Sequence, residues 1–336
     1  MNNKIIMAIC DYFGLGRPIE TPIRIYGGLL HIMWRLITEK GTYAIKQLSQ
    51  DINLFDSQIV RNYNLTEYIA FCFIQQGISA VCALEQSGNY LLVLDGVGYL
   101  VYPWIAGTAL DKDAISENKA LQIPEILARM HNIDLSIPEI LEPEFDIHKN
   151  DDIVSFVQKA LDYQCPFAKL LKDKLPDLLK ANSTYQRAIP ILKKQAVVSH
   201  GDLDQKNVLW DKFGNPILID WESARKLNPT YEIVNASLDW SGITTEFNKE
   251  LFFKLIKAYK KARGIIDNSS LEASFYGVLG NWINWLVYNI DRSCNNVSSE
   301  QQKIGIEQVA QVLPTILRLQ TLGTELLCQV NDILND

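Results

Sequence analysis

Apolar and polar residues alternate along the first third of the chain and then settle into helical spacing. Pro22 to Tyr26, Ile32 to Thr38 and Thr42 to Leu48 each follow the two-residue period of a half-buried strand. Gly27-Gly28 and Glu39-Lys40-Gly41 interrupt them as turns. Residues 1–20 read as a short helix running into a Gly-Leu-Gly turn, and 58–76 contains a second helix. Tyr90–Leu94 and Tyr99–Pro103 add two further strands. From Trp104 onward the spacing becomes helical, over 113–133, 151–181, 247–263, 271–293 and 300–330. The expectation is an α+β fold with a β-rich lobe at 1–103 and a mainly α-helical lobe at 104–336. Pro103 and Gly107 bracket the short link between them.

Bulk composition narrows the function classes. A chain of 336 residues with 48% hydrophobic and 21% charged content can build two lobes around a large core. A net charge of −7 argues against a nucleic-acid binder, which carries a basic excess, and suits cationic substrates. Cys10, Cys72, Cys82, Cys165, Cys294 and Cys328 show no Cys-x-x-Cys pair and mostly sit in apolar company. They read as small buried hydrophobes rather than zinc ligands or a disulfide framework. The N-terminal sequence has no apolar stretch long enough to span a bilayer, so no membrane role and a cytoplasmic location are expected.

The chemistry concentrates in Val198-Ser199-His200-Gly201-Asp202-Leu203-Asp204-Gln205-Lys206-Asn207-Val208-Leu209-Trp210, followed by Ile217-Leu218-Ile219-Asp220-Trp221-Glu222. An apolar strand ends before Asp202, and two more flank the Gly214-Asn215-Pro216 turn. A loop–strand–turn–strand unit of this kind presents Asp202, Asn207 and Asp220 at one mouth. Phosphoryl transfer from a nucleotide needs such a set: a carboxylate to orient a hydroxyl and take its proton, and an amide and a carboxylate to hold Mg²⁺. His200 lacks a partner acid and nucleophile and reads as a loop brace, and no Gly-x-Ser-x-Gly, His-Glu-x-x-His or Walker loop competes.

His-Gly-Asp-Leu-x-x-x-Asn-Val-Leu followed by Ile-Asp-Trp-Glu resembles the aminoglycoside phosphotransferase and choline kinase group, small-molecule kinases on the protein-kinase fold. The resemblance implies a bilobal architecture binding ATP or GTP with Mg²⁺. It makes Asp202 the catalytic carboxylate and Asn207 and Asp220 the metal ligands. Lys46, sharing a strand face with Ala44 and Leu48, is then the lysine that grips the phosphates. Glu67, the only acid between Asp56 and Glu85, is its expected helix partner. Gly27 and Gly28 fall where a phosphate-covering loop belongs, although the loop lacks the full Gly-x-Gly-x-x-Gly pattern. Tyr102 and Trp104 lie in a segment resembling the adenine-reading linker, and Leu209 would floor the base. Asn228-Pro229-Thr230-Tyr231-Glu232 resembles the segment that buttresses the catalytic loop, with Glu232 where many members carry Asp.

Glu222, two residues beyond Asp220 and on the same strand-like face, would assist the metal or meet the acceptor, and the other acceptor-binding expectations rest on the helix over 271–293. Ile283, Leu286, Val287, Ile290 and Cys294 form one apolar arc. Asn281, Asn284, Trp285, Tyr288, Asp291 and Arg292 form the opposite arc, a solvated face or an acceptor wall. Trp285 and Tyr288 suit stacking on a ring or cation, and Asp291 suits an amine. The expected partners are a nucleoside triphosphate and a small polar, amine-bearing acceptor of aminoglycoside type. A metabolic kinase of the choline or homoserine type and a nucleotide-binding pseudokinase regulator remain alternatives.

Overall fold

The structure, a computed structural model, describes residues 1–25, 30–111, 115–140, 143–294 and 298–335. The chain opens with helix α1 (Asn3–Phe13), whose N-cap Asn2 accepts from the Ile5 amide. Strands β1 (Ile23–Ile25), β2 (Ile32–Thr38) and β3 (Gly41–Gln47) follow, then helix α2 (Ser57–Gln75) and strands β4 (Leu92–Leu94), β5 (Val97–Pro103) and β6 (Thr108–Ala109). Helices α3 (Glu117–Ala120), α4 (Gln122–His131), α5 (Asn150–Asp162) and α6 (Ala168–Leu192) lead to strands β7 (Val197–Ser199), β8 (Val208–Trp210), β9 (Pro216–Leu218) and β10 (Arg225–Leu227). Helices α7 (Pro229–Trp240), α8 (Lys249–Lys261), α9 (Leu271–Cys294) and α10 (Ser299–Asn335) complete the order. The α+β expectation is met. Among the described residues no helix is long and apolar enough to cross a membrane.

Two compact units form: residues 1–109 with 207–224, and residues 110–206 with 225–336. The units interleave in sequence, whereas the division read from the sequence at 103/104 is contiguous. Residues 207–224 join the first unit because β8 pairs with β6 and β9 pairs with β8. Gly107 permits that approach, since a Cβ there would sit 3.1 Å from both the Leu209 Cβ and the Trp210 carbonyl oxygen.

In the first unit the main sheet runs β1-β2-β3-β5-β4, antiparallel between neighbours. The pleat sends alternate residues to opposite faces. Leu36, Ile45, Tyr99 and Val101 pack with Ile6, Ile9 and Cys10 of α1. Leu48 and Leu100 pack on the other face with Ala83, Tyr90, Val60 and Tyr63.

The second unit is built around α9, which packs against α5, α6, α7 and α10. Ile283, Leu286, Val287, Ile290 and Cys294 are buried as their arc predicts. Three segments differ from the sequence reading. The segment 151–181 splits into α5 and α6. The 113–133 segment becomes the short α3 followed by α4, while residues 113–114 lie outside the described ones. Helix α7 was not foreseen as a helix, although Asn228 caps it through the Thr230 and Tyr231 amides and Pro229 occupies its first position.

Close approach of α9 to α6 depends on Gly280, where a Cβ would meet the Tyr185 ring at 2.2 Å. Tyr185 cannot readily yield, being 2% exposed with its hydroxyl donating to the Asp146 carbonyl at 2.9 Å. Gly280→Ala is therefore expected to destabilise the protein by roughly 1–3 kcal/mol through overpacking, outweighing the helix propensity gained. Urea unfolding measures this, and unchanged stability would show that the two helices have slack.

Candidate active site

In the first unit, Lys46 lies opposite Leu100 and Ala44 opposite Tyr102 in the β3–β5 register. Ala44, Lys46 and Leu48 therefore share a face with Leu100 and Tyr102. Lys46 is only 6% exposed. Its ammonium lies 2.5 Å from Asp220 Oδ1 and 3.2 Å from Glu222 Oε2. Burial alone would lower its pKa, but the charges of Asp220 and Glu222 outweigh that and raise it, so the side chain is cationic.

Glu67 does not take the place expected for it beside Lys46. Its Oε2 accepts from the Ala83 amide at 2.7 Å and its Oε1 from the Tyr102 hydroxyl at 2.6 Å. Both oxygens of this 3%-exposed side chain are thus satisfied by neutral donors, and Lys46 acts on it only through space. Burial pushes the Glu67 pKa up to about 7, beyond what the Tyr102 and Ala83 hydrogen bonds recover. Tyr102, expected to offer its backbone to adenine, places its side chain into this network. The Trp104 amide donates to the Thr42 carbonyl at 3.0 Å, so it is not available to a base, and Arg35 lies over the exposed indole. Leu209 lies half-buried on β8, and Gly27 and Gly28 lie outside the described residues.

Asp220 follows β9 with φ 64° and ψ 67°, a left-handed conformation that Asp tolerates better than most residues. A 3₁₀ turn, Trp221–Ser223, comes next, so Asp220 and Glu222 are not on one strand face as the sequence reading had them. The turn brings both carboxylates to Lys46. Trp221, 1% exposed, anchors it by stacking on Phe73 of α2 at 5.5 Å. Buried Asn207 accepts at its carbonyl from the Ile219 amide at 3.0 Å, tying β8 to the approach to Asp220. Glu222 also meets His31 Nε2 at 3.0 Å. Burial would raise its pKa, but His31 and Lys46 bring it down to about 2.

In the second unit, α7 holds the loop that carries Asp202. Glu232 Oε1 accepts from the Gly201 amide at 2.8 Å, and the Trp240 indole donates to the Leu203 carbonyl at 2.8 Å. Gln205 donates to the Asp239 carbonyl at 2.5 Å. Burial would raise the Glu232 pKa, but His131, 2.8 Å from Oε2, reverses this and lowers it. His131 in turn meets the Tyr259 hydroxyl at 2.6 Å. His200 is buried and accepts from the Asp202 amide at 3.3 Å, acting as the brace expected of it. Lys206 lies 3.4 Å from Asp202 and 2.7 Å from Asp204. Asp204 is pushed up to about 6 by burial and by the Asp202 charge.

On α9, Trp285 and Tyr288 stack at 5.2 Å with a 12° interplanar angle, and Tyr288 is exposed. The Trp285 indole donates to Gln308 of α10. Asp291 pairs with Lys159 of α5 at 2.7 Å, so its charge is already answered within the unit. Arg292 is 5% exposed and bonds Gln301, which removes it from the polar arc assigned to it.

The model of a phosphotransferase enzyme family matches residues 67–265, more than half of the chain. The chain belongs to this family. The phosphotransferase is also similar in fold to a spectinomycin phosphotransferase crystallised with ADP and spectinomycin, with TM-score 0.70 and 12% identity over 95% of this chain and 98% of that one. A choline kinase from Streptococcus pneumoniae aligns with TM-score 0.59 and 15% identity, covering 94% and 98%. An ethanolamine kinase from Plasmodium vivax aligns with TM-score 0.58 and 16% identity, covering 93% and 89%. No curated protein sequence matches the chain.

Several site-building residues of the phosphotransferase escaped the sequence reading: His31, Trp221, His131, Tyr259 and the pair Asp204 and Lys206. His31 and His131 are two of only four histidines, a scarcity that could have flagged them. Glu67 yields a testable pH effect. Its native pKa of about 7 lies above the ordinary 4.5, so the folded state binds more protons than the unfolded state between those values. Its contribution to stability is fully present below 4.5 and is lost as pH rises through about 7. Glu67→Gln can accept from the Ala83 amide through its oxygen and donate through its NH2 to the Tyr102 hydroxyl oxygen, without titrating. Its Tm is expected to fall less than that of the parent between about pH 5 and 8. Parallel Tm profiles would show that Glu67 is not the titrating group.

Proposed function

We propose that this phosphotransferase is a small-molecule kinase, moving the γ-phosphate of ATP or GTP to a hydroxyl of a small polar acceptor. The supporting observation is the buried Lys46 ammonium set 2.5 Å from the Asp220 carboxylate. A nucleotide needs a fixed cation for its phosphates beside an oxygen donor for a divalent ion, and this pair would supply both. Lys46 would grip the phosphates. Asn207 and Asp220 would hold Mg²⁺, and their hard oxygen donors suit that ion rather than a soft metal. Among the described residues no cluster of three or more His, Cys, Asp or Glu side chains is arranged for a metal. The bound ion would neutralise charge that develops on the phosphates.

Asp202 is the candidate catalytic carboxylate. It would accept a hydrogen bond from the acceptor hydroxyl, and take its proton as that oxygen bonds to the γ-phosphorus and the bond to the nucleotide's bridging oxygen breaks. A carboxylate suffices there, because a loose phosphoryl-transfer state asks for orientation first and deprotonation late. Asp239 is raised well above the usual carboxylate range by burial and then by Asp204 and Asp202, and Asp204 is raised too. Lys206 answers Asp202 and Asp204 from within the unit, and the acceptor in this reading is amine-bearing, either aminoglycoside-like or of choline type. Trp285 and Tyr288 offer a flat stacking surface for it, with Asp291 contributing less because of Lys159.

Asp202→Ala is expected to lower kcat on the order of 10²-fold or more while nucleotide binding stays near the parental value. Asp220→Asn should raise the Mg²⁺ concentration needed for half-maximal turnover, and an unchanged Mg²⁺ titration would remove Asp220 from the metal site. A panel of aminoglycosides, macrolides and choline-like amines with labelled ATP and GTP tests the reaction itself. Absence of both transfer and nucleotide binding would overturn the reading.

A further inference from the structure

Kinase-type sites need a carboxylate to hold the phosphate-gripping lysine in place, and in this chain the helix glutamate is engaged elsewhere. Ala83 and Tyr102 occupy both oxygens of Glu67. Lys46 instead meets Asp220 and Glu222. These two carboxylates are not equivalent. Asp220 is the candidate metal ligand, so its charge would be shared between Lys46 and a bound cation. Glu222 has an independent anchor.

That anchor is His31, whose side chain is 8% exposed. Its Nδ1 lies 3.2 Å from the Ser49 amide nitrogen, which can only donate. Nδ1 is therefore the acceptor, and the ring proton is on Nε2, 3.0 Å from Glu222 Oε2. The same Oε2 receives Lys46 at 3.2 Å. A continuous relay runs from the Ser49 amide through His31 and Glu222 to Lys46. Both of its ends belong to one stretch of chain: Lys46 is on β3, and Ser49 follows that strand by two residues. The lysine is thus referenced to its own strand's backbone through two side chains from elsewhere in the unit.

We propose that Glu222, oriented by His31, is the carboxylate that positions Lys46 for the nucleotide phosphates, in place of Glu67. This rests on the kinase reading and moves Glu222 from the acceptor to the nucleotide. His31 is a positioning residue that acts through Glu222.

The test measures binding without any acceptor, by calorimetric titration of the full chain with Mg-ADP or Mg-GDP, whichever it binds, and with the matching nucleoside. His31→Ala and Glu222→Gln are each expected to weaken Mg-nucleotide binding about 10-fold, the scale of one hydrogen bond to a charged group. The double variant should be no weaker than the weaker single one, because both changes break one relay. His31→Gln, which can still donate to Glu222, should recover most of the loss. Nucleoside affinity should stay within about two-fold of the parent, because Lys46 serves only the phosphates. The proposal is overturned if Glu222→Gln, which preserves shape, binds Mg-nucleotide like the parent, or if nucleoside and nucleotide affinities fall together. Multiplying effects in the double variant would overturn it as well. Should His31→Ala fail to fold, Glu222→Gln and His31→Gln still decide the matter. An unaltered chain that binds no Mg-nucleotide would overturn the kinase reading beneath the proposal, and the proposal with it.

Discussion

A lysine ammonium in the interior of a sheet is costly unless carboxylates answer it, and the first unit is arranged around answering Lys46. The strand register makes the problem, because it points Lys46 to the face packed by α2 rather than to water. The turn after β9 solves it by delivering Asp220 and Glu222 together. That turn stays in place through the Trp221–Phe73 stack and through β8 and β9. Residues 207–224 therefore belong with the N-terminal unit although much of the intervening chain does not. A second buried pair plays the same organising part in the other unit, where His131 and Glu232 meet with almost no solvent and Glu232 fixes the Gly201 amide beside Asp202.

Most of the fold was legible in periodicity. The β2 and β3 strands fell where alternation put them, and α9 buried the arc its spacing predicted. Helix α7 has its entry signal in Asn228-Pro229, the same residues that mark the segment as a motif. It is also buried nearly all round, which erases the amphipathic stripe that marks a surface helix.

For the site, the linear motif conveyed which residues could carry chemistry but not who faces whom. Glu67 sits on the expected helix and near Lys46, yet the choice between pairing with a cation and satisfying a buried amide and hydroxyl is made by tertiary geometry. Asp291 looked available because Lys159 is 132 residues away in sequence. His31 and Glu222 are 191 residues apart, and no local pattern joins them.

The left-handed backbone at Asp220 has a consequence for how this position can vary. Glycine or asparagine would accept φ 64° with ease, but each discards the negative charge that Lys46 requires. Glutamate keeps the charge but adopts that backbone less readily and carries its carboxylate one methylene further out. Relief of strain and retention of charge thus exclude one another in every single substitution. Drift away from aspartate there would leave Glu222 alone to answer the Lys46 ammonium.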